Sequence, residues 1–586
     1  MSRSNESEEP KPRGVNRRQF LVSAALGAGT VALTKTVPAS APPARVSTPR
    51  QVPSSAWSFG VMADTQWIAA DDGANPNSVA VDIVTQINRQ FIARKVDFVV
   101  QVGDLCEKGS NVNLSTRALY TQDLYNAGIG FYPLRGNHES TQEDARQFVR
   151  LWPQTQTGVH NTTPEDVFHV AGLDAKPPAA GGSPFVLGNI LGSPDPDGNE
   201  NLKGLSYAFD YRNARFVLLD QFVPLDGGSV SAPYSLDTTI AKQQSWIDSQ
   251  LSSRPAGTHA FVLGHKGLIT EFHVDTLFGE NPFENPGPQD AFIKSLSDHN
   301  VKYYIHGHDH MHDRSIVTTT DGTSGRVTQL LCSSDSSKFY IPAVISNDKH
   351  YDEPSAPSGF GRLRQTPLSQ ELNTVGFYIF TVRGSVVTAD YYSADVYPTF
   401  RGKEYLITKT PTLNFVKRET FGYGLDGREF LVSPGESYTV VLDKSSTGTT
   451  ARILSGSNGR NVRDGSNRPC ANVVNTAWTA KTMHTASDIL TLSGMARNLS
   501  SEQTDVYALS MTYSDSPISK AVLKSGAFAL ATTDSEGNWV KAAHERFVFG
   551  PWNASYPLGT YGIDDTTNTA WAVINYNGVF AAVHHV

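Results

Sequence analysis

The chain has 586 residues, more than one hydrophobic core usually supports, so its length predicts two domains. It carries 49 Lys and Arg against 57 Asp and Glu, a formal net charge of −8, and no basic stripe runs along the sequence. This distribution argues against a nucleic-acid partner, which would need a positively charged face. The three cysteines are odd in number and far apart, which argues against a disulfide framework, and we expect them to be small buried side chains: Cys106, Cys332 and Cys470.

The N-terminus has the pattern of an export signal. Arg17 and Arg18 stand before an apolar run over residues 21–33, which is too short to span a membrane, so no transmembrane segment is predicted. Paired arginines followed by Phe-Leu resemble a twin-arginine (Tat) signal, with a general secretory signal as the alternative. We therefore expect a Tat signal peptide over 1–41 and a disordered leader over 42–55. The precursor would use the Tat export machinery, and the protein would be periplasmic, at the cell surface or secreted.

The next part of the chain is predicted to be a strand–helix–strand unit. A β-prone run over 58–63 ends at Asp64, and apolar residues then recur at helical spacing over 80–91. A second buried-strand pattern over 97–102 ends at Asp104. Because both strands end in polar residues, we expect the two carboxylates at the same edge of a sheet.

Three later predicted strands also end in polar residues. These residues are Asn137 and His138 after the run 131–134, His265 after 260–263, and His306, His308 and His310 after 301–305. In an open α/β sheet, chemistry is carried at the carboxyl ends of the strands. We therefore expect these side chains to meet those of Asp64 and Asp104.

Beyond about residue 400 the sequence changes to short strands separated by Gly, Ser and Asn turns. Apolar residues alternate along 506–513, a spacing that predicts an all-β, sandwich-like module. Asn577-Gly578 stands between two apolar runs and predicts a hairpin. We find no cluster of ligand residues in this part of the sequence, and it predicts no mechanism of its own.

The polar strand ends share one kind of ligand chemistry. All are oxygen or imidazole-nitrogen donors, and none is a thiolate: Asp64, Gln66, Asp104, Asn137, His265, His308 and His310. A bridging aspartate with further His, Asp and Asn ligands suits two transition-metal ions (Fe, Mn or Zn) roughly 3.5–4 Å apart. Such a pair holds a phosphoryl group and activates water, so the sequence predicts hydrolysis of a phosphate mono- or diester.

At these residues the chain resembles the calcineurin-like metallophosphoesterases. Five stretches look like the ordered motifs of that family: Asp64-Thr65-Gln66, Gly103-Asp104-Leu105-Cys106-Glu107, Gly136-Asn137-His138-Glu139, Gly264-His265 and Gly307-His308-Asp309-His310. The resemblance covers roughly residues 57–393. It implies an α/β (α+β) fold, a four-layer metallophosphoesterase β-sandwich flanked by helices over 56–400, followed by a smaller all-β domain over 401–586. It also implies a metal-dependent phosphoric ester hydrolase, a phosphatase or phosphodiesterase, acting on a small phosphate ester.

The resemblance further implies a role for each motif residue. The first metal would be held by Asp64, Asp104 and His310. The second would be held by Asp104, Asn137, His265 and His308, so that Asp104 is the bridge. His138 would lie beside the substrate phosphate and act as the catalytic acid, a role that suits a side chain titrating near neutrality. A hydrogen-bonded loop histidine is the alternative for His138.

Gln66 departs from the family pattern, which has histidine at this position. An amide oxygen is a poorer ligand for a transition metal, so either Gln66 binds weakly or through water, or the first metal site is partly empty. Glu107 stands where the purple acid phosphatases have a tyrosine ligand. It is predicted either to bind metal or to cap the following helix.

Three further residues are candidates for supporting roles. His306 could bind metal or fix the tautomer of a ligand histidine, with a solvent-facing loop position as the alternative. Arg135 and His273 are candidates for substrate contact, with a surface salt link as the alternative for Arg135. A different class of function also stays open: a metal-poor surface-binding protein, in which Gln66 marks lost catalysis and the β-module attaches to a glycan or partner.

Overall fold

The computed structural model describes residues 56–66, 79–158, 168–170, 173–175, 191–192, 202–222, 238–273, 275–279, 286–340, 364–396, 398–401, 404–409, 412–427, 429–432, 440–441, 451–455, 475–479, 484–493, 506–513 and 518–584. The predicted signal peptide (1–41), the predicted leader (42–55) and Cys470 lie outside these residues. Cys106 and Cys332 are buried and unpaired, as expected. Within the described residues, no helix has the length and apolarity needed to cross a membrane.

The described chain contains helices and many short strands. The helices are α1 (Val79–Arg94), α2 (Asn111–Leu119), α3 (Gln122–Asn126), α4 (Gln142–Leu151), α5 (Gln154–Thr157), α6 (Gln244–Ser252), α7 (Gly287–Asp298) and α8 (Lys520–Ser525), with 3-10 turns at Asn137–Glu139 and Ala241–Gln243. The strands up to residue 401 are β1 (Trp57–Met62), β2 (Phe98–Val102), β3 (Gly130–Leu134), β4 (Phe168–Val170), β5 (Leu173–Ala175), β6 (Leu191–Gly192), β7 (Tyr207–Tyr211), β8 (Ala214–Leu218), β9 (His259–Leu263), β10 (Tyr303–His306), β11 (His312–Thr318), β12 (Arg326–Leu331), β13 (Lys338–Phe339), β14 (Gln365–Glu371), β15 (Thr374–Arg383), β16 (Val386–Asp395) and β17 (Thr399–Arg401). The later strands are β18 (Glu404–Leu406), β19 (Val416–Gly424), β20 (Glu429–Val432), β21 (Val440–Val441), β22 (Ala451–Ser455), β23 (Asn475–Thr479), β24 (Ile489–Ser493), β25 (Tyr507–Thr512), β26 (Phe528–Thr533), β27 (Trp539–Lys541), β28 (Arg546–Phe549), β29 (Thr560–Asp564), β30 (Thr569–Ile574) and β31 (Gly578–His584).

Two mixed sheets form the main sandwich. The first has the strand order β21-β20-β19-β16-β15-β1-β2-β3, and the second runs β27-β26-β31-β24-β23-β14-β11-β12-β10-β9-β8-β7-β6. Strands β1, β2 and β3 are parallel, as are β8, β9, β10 and β12. Because parallel strands bring their carboxyl ends to one edge, each sheet presents several strand-to-loop turns side by side.

Three hydrophobic clusters stack the layers. The aromatic cluster between the sheets includes Phe59, whose ring centroid lies 5.4 Å from Phe98, 4.8 Å from Phe380 and 4.9 Å from Phe216. Helices α1 and α2 pack on the outer face of the first sheet, and α6 and α7 on that of the second. The order is therefore helix, sheet, sheet, helix, and the predicted four-layer fold is confirmed.

The C-terminal part is almost entirely β, as predicted, with α8 as a short exception. A five-stranded sheet, β22-β25-β30-β29-β28, packs on strands β24, β26 and β31 through a shared apolar core. Strands β19 to β21 extend the first large sheet, and β23 extends the second by pairing with β14. Both large sheets thus include strands from either side of residue 400, and the 56–400 and 401–586 division stays a prediction.

The prediction of a hairpin at Asn577-Gly578 is wrong. Strand β30 pairs with β25 and β29, whereas β31 pairs with β24 and β26. The turn therefore carries the chain from one sheet to another. Ala572 and Ile574 of β30 and Phe580 and Ala582 of β31 share one apolar cluster, so these strands meet through their faces rather than through a hydrogen-bonded edge.

Candidate metal centre

The strand ends of the two sheets bring six of the predicted ligands together. Asp64, Asp104 and His310 form one buried group whose ligand atoms lie within 4.8 Å of one another. Asp104, His265 and His308 form a second such group. The sixth predicted ligand, Asn137, adjoins the second group, because its Oδ1 lies 3.0 Å from Nε2 of His265. Asp104 belongs to both groups, so one carboxylate stands between two sets of ligands.

The loops that carry these residues have an unusual backbone. Five site residues have positive φ, out of ten non-glycine residues with this property in the described chain: Asp64 (49°), Gln66 (38°), Asp104 (47°), His308 (83°) and His310 (50°). Such conformations cost about 1–3 kcal/mol each and cluster at functional sites. The loops hold one another in place, since Asp64 N donates to Gly103 O (3.2 Å) and Gln66 N to Asp104 O (3.0 Å). The Asp64 carboxylate also accepts from His308 N at 2.9 and 3.1 Å, which joins the two sheets.

Close packing explains the glycines of three motifs. A Cβ atom at Gly136 would lie 1.9 Å from Oδ1 of Asp104, and one at Gly307 would lie 2.4 Å from Oδ2 of Asp64. At Gly103 a Cβ atom would lie 2.3 Å from Nδ1 of His265, and φ is +93°. Each motif glycine therefore leaves room for a ligand that another motif supplies.

The ligand histidines each use one ring nitrogen to fix the ring. Nδ1 of His265 lies 2.9 Å from Val102 O, and Nδ1 of His310 lies 2.9 Å from Lys338 O. A neutral imidazole that donates from Nδ1 keeps its lone pair on Nε2, and Nε2 of His310 is the atom near Asp64 (3.7 Å). Rings fixed in this way are typical of histidines that bind metal.

The buried charges at the site oppose one another. Burial raises the pKa of Asp64 well above its ordinary value, although the charge of His265 works against the shift. Burial also disfavours the ionised form of Asp104, but the charges of His138 and His265 outweigh it and hold its pKa well below the usual range. Burial lowers the pKa of His308 to about 4. A buried carboxylate that stays ionised at Asp104, beside an imidazole that stays neutral at His308, makes an environment that favours a cation.

Gln66 lies inside the site and fits a metal ligand. Its Nε2 is 3.4 Å from Oδ2 of Asp104 and 3.1 Å from Nε2 of His138. Its Oε1 is buried and has no hydrogen-bond partner. A buried oxygen without a hydrogen-bond partner is free to bind a metal. The surrounding donors are carboxylates and imidazoles without thiolates, a set that suits the hard or borderline ions Fe, Mn and Zn.

The turn at residues 137–139 places an acid candidate at the rim. The side chain of His138 is 13% exposed, and its Nε2 lies 3.7 Å from Oδ2 of Asp104. Its Nδ1 hydrogen-bonds to the main-chain oxygen of Glu107. Glu139 closes the turn by accepting from Gly136 N (3.0 Å), and ties it to the second motif by accepting from Cys106 N (2.7 Å).

The structure does not support the predictions for Glu107 and Arg135. The Glu107 carboxylate pairs with Lys338 Nζ at 3.0–3.1 Å and belongs to neither ligand group, while Ser110 caps α2 in its place. Glu107 contributes its main-chain oxygen instead. Arg135 is buried and holds Asp220 through Nε (2.7 Å) and Nη2 (3.0 Å), so its guanidinium neither reaches substrate nor forms a surface salt link.

His306 and His273 have different surroundings. His306 is fully buried, its Nδ1 lies 2.9 Å from Gly307 O, and its Nε2 has no partner. His306 bonds to no ligand histidine among the described residues and does not face solvent, so neither of these two predictions holds, while a metal-binding role for it stays a prediction. His273 stacks on His308 with ring centroids 4.1 Å apart, and its Nδ1 lies 2.7 Å from Oδ1 of Asp309. With 27% of its side chain exposed, His273 lies at the mouth of the site.

Two contributions could not be read from the sequence. Asp275 contacts Nε2 of His308 at 3.3 Å, yet it sits in a loop without periodicity or motif. Lys338 orients His310 with its main-chain oxygen, a contact that any residue type could make. Asp309 was visible inside a motif, but nothing in its spacing indicated that it holds His273.

Residues 58–312, a little under half of the chain, match the family model described as calcineurin-like phosphoesterase. The matched residues include every motif named above and end within β11.

Several solved structures also resemble the chain. Purple acid phosphatase PPD1 from yellow lupin (Lupinus luteus) seeds is 14% identical, with 58% of this chain and 51% of that chain covered and a TM-score of 0.32. A dimetal phosphatase from Danio rerio is 16% identical, with 60% and 99% covered and a TM-score of 0.32. PhoD is 13% identical, with 67% and 73% covered and a TM-score of 0.35. The chain spans about half the length of the lupin phosphatase. No curated protein matches the chain.

Proposed function

We propose that the chain is an exported binuclear-metal phosphoesterase that hydrolyses a small phosphate mono- or diester. The observation that carries this proposal is the position of Asp104, which belongs to two buried ligand groups at once. A carboxylate shared in this way suits two ions close together rather than a single ion.

The residues divide into two sets of metal ligands. Asp64, His310 and Asp104, with Oε1 of Gln66, would hold the first ion, and Asp104, Asn137, His265 and His308 the second. When bound, such ions hold the phosphoryl group and lower the pKa of the water that attacks phosphorus.

His138 is proposed to protonate the leaving group. Because Nδ1 bonds to the oxygen of Glu107, Nε2 is the nitrogen that faces the site. As the ester P–O bond breaks, the doubly protonated ring would pass its Nε2 proton to the departing oxygen, which leaves as an alcohol. In the neutral ring that remains, Nε2 is an acceptor, and it lies 3.1 Å from the donating amide nitrogen of Gln66.

One experiment tests the metals and the activity together. Wild type, Asp104→Ala and the control Asp290→Ala would be assayed for metal content by elemental mass spectrometry and for hydrolysis of an aryl phosphate and of its diester. We expect two ions per chain and turnover in wild type and in the control. In Asp104→Ala we expect the loss of bound metal and of turnover. If the wild type binds under one ion per chain and hydrolyses no faster than Asp104→Ala, the enzyme proposal is refuted and the alternative of a metal-poor binding protein remains.

Export is tested separately. The paired arginines support the Tat route, so Arg17→Lys with Arg18→Lys should leave the precursor inside the cell. Export at the wild-type level would remove the twin-arginine proposal without touching the catalytic one.

A further inference from the structure

A buried ion pair stands behind the second set of ligands. Oδ1 of Asp275 lies 3.3 Å from Nε2 of His308, and Oδ2 of the same carboxylate pairs with Nζ of Lys266. Asp275 is 3% exposed and Lys266 is fully buried. Lys266 directly follows His265, so the pair links the chain at one proposed ligand to the ring of another.

The pair acts through geometry rather than through added charge. The ammonium of Lys266 balances the carboxylate of Asp275, so the pair brings no net charge to the site. Asp275 also belongs to none of the candidate ligand groups among the described residues. What it does provide is an acceptor for Nε2–H of His308, and an imidazole that donates from Nε2 has its lone pair on Nδ1.

The ring of His308 needs this support because its backbone is strained. Its φ of 83° is in a region that L-residues rarely adopt. The ring is bounded by His273, stacked at 4.1 Å, and by the edge of His265 at 5.1 Å. Stacking alone allows the ring to turn over, which exchanges its two nitrogens, whereas a hydrogen bond to Asp275 selects one orientation.

We propose that Asp275, held by Lys266, is a positioning residue that fixes the ring orientation and tautomer of His308 so that Nδ1 binds the second metal. This inference rests on the proposed binuclear site. It concerns the affinity for one of the two ions, not the fold of the loop.

The test measures metal binding directly. Apo wild type, Asp275→Asn and the matched control Asp290→Asn would be titrated with Mn²⁺ in competition with a chelating dye. Asp290 also pairs with a buried arginine, Arg364 (2.9 Å). We expect two ions in wild type and the control. In Asp275→Asn the single amide oxygen would accept from Lys266, which leaves the amide NH2 facing Nε2 of His308, so we expect an unchanged first ion and a second bound about 10–100-fold more weakly.

Two further variants separate positioning from folding. In a His308→Asn background, Asp275→Asn should cause no further loss of Mn²⁺ affinity, because the ring it positions is gone. Should Asp275→Asn not fold, Asp275→Glu keeps the charge for Lys266 but displaces the oxygen, and the second affinity should again fall. Two ions at wild-type affinity in the folded Asp275 variant would overturn this inference alone. Fewer than two ions in wild type would overturn the proposed function as well.

Discussion

Replacing Gly136 with alanine is expected to disable the site without unfolding the protein. A Cβ atom there would lie 1.9 Å from Oδ1 and 2.3 Å from the main-chain nitrogen of Asp104, whereas real Cβ atoms do not approach closer than 3.0 Å. Asp104 must therefore move by about 1 Å, and a displacement of that size costs on the order of 100-fold in rate. This loss corresponds to about 2.7 kcal/mol of transition-state stabilisation.

The assay compares Gly136→Ala with a glycine substitution that meets nothing. Gly322 has no atom within 4 Å of its would-be Cβ, and its φ of +69° means that alanine there strains only the backbone, so Gly322→Ala controls for backbone strain without a collision. We expect kcat/KM for an aryl phosphate to fall about 100-fold in Gly136→Ala, with a near-normal melting temperature, and to stay unchanged in Gly322→Ala. Wild-type metal content and turnover in Gly136→Ala would show that Asp104 does not need its observed position.

Three further outcomes test the surrounding structure. Glu419 pairs with Arg314 (2.8 Å), and although burial opposes its ionisation, this charge lowers the pKa of Glu419 from 4.5 to about 2, a difference worth about 3 kcal/mol. That stability is present above pH 4.5 and is lost as pH falls toward 2. In urea unfolding, Glu419→Gln should therefore lower the unfolding free energy by about 3 kcal/mol at pH 7 and by less at pH 3. Glu429 forms a more exposed pair, so the control Glu429→Gln should lower it by under about 1 kcal/mol. Arg135→Met should cost about 3–5 kcal/mol in unfolding free energy and leave KM for substrate within about twofold, whereas a higher KM at unchanged stability would restore the substrate-binding role. A chain that ends at Arg401 leaves β16 without β19 and β14 without β23, so it should aggregate on expression; a monomeric, cooperatively unfolding fragment with full activity would support the boundary at residue 400.

The sequence predicts the strands that carry the candidate metal centre well because its signals are local. Each parallel strand is a short apolar run followed by a polar turn, so both the strand and the ligand at its end are visible within a few residues. Asp64, Asp104 and His265 could be placed at one edge for this reason. The C-terminal strands were recognisable too, but their partners were not. The pairing of β31 with β24 rather than β30 depends on which faces meet in the core, and no local pattern encodes that choice.

Two of the failures at the site share one physical cause. Arg135 and Glu107 have side chains that suit a phosphate or a metal, but their roles were decided by distant partners. Arg135 is bound by Asp220, 85 positions later, and Glu107 by Lys338, 231 positions later. Contacts of such separation leave no mark on spacing or periodicity. Residue type therefore predicted the candidate ligands, whereas the residues that orient them had to be found in three dimensions.

Gln66 shows why a departure from a family pattern need not mean a lost function. A histidine at this position would give a stronger metal ligand, but a ring bound to metal through one nitrogen offers at most one N–H donor. The amide of Gln66 has two N–H groups on one atom, and that atom lies near both Oδ2 of Asp104 and Nε2 of His138. It therefore links the bridging carboxylate to the proposed acid while Oε1 stays available for the first ion. In the proposed site, Gln66 would bind that ion more weakly than a histidine, and its amide would in return donate to Nε2 of His138.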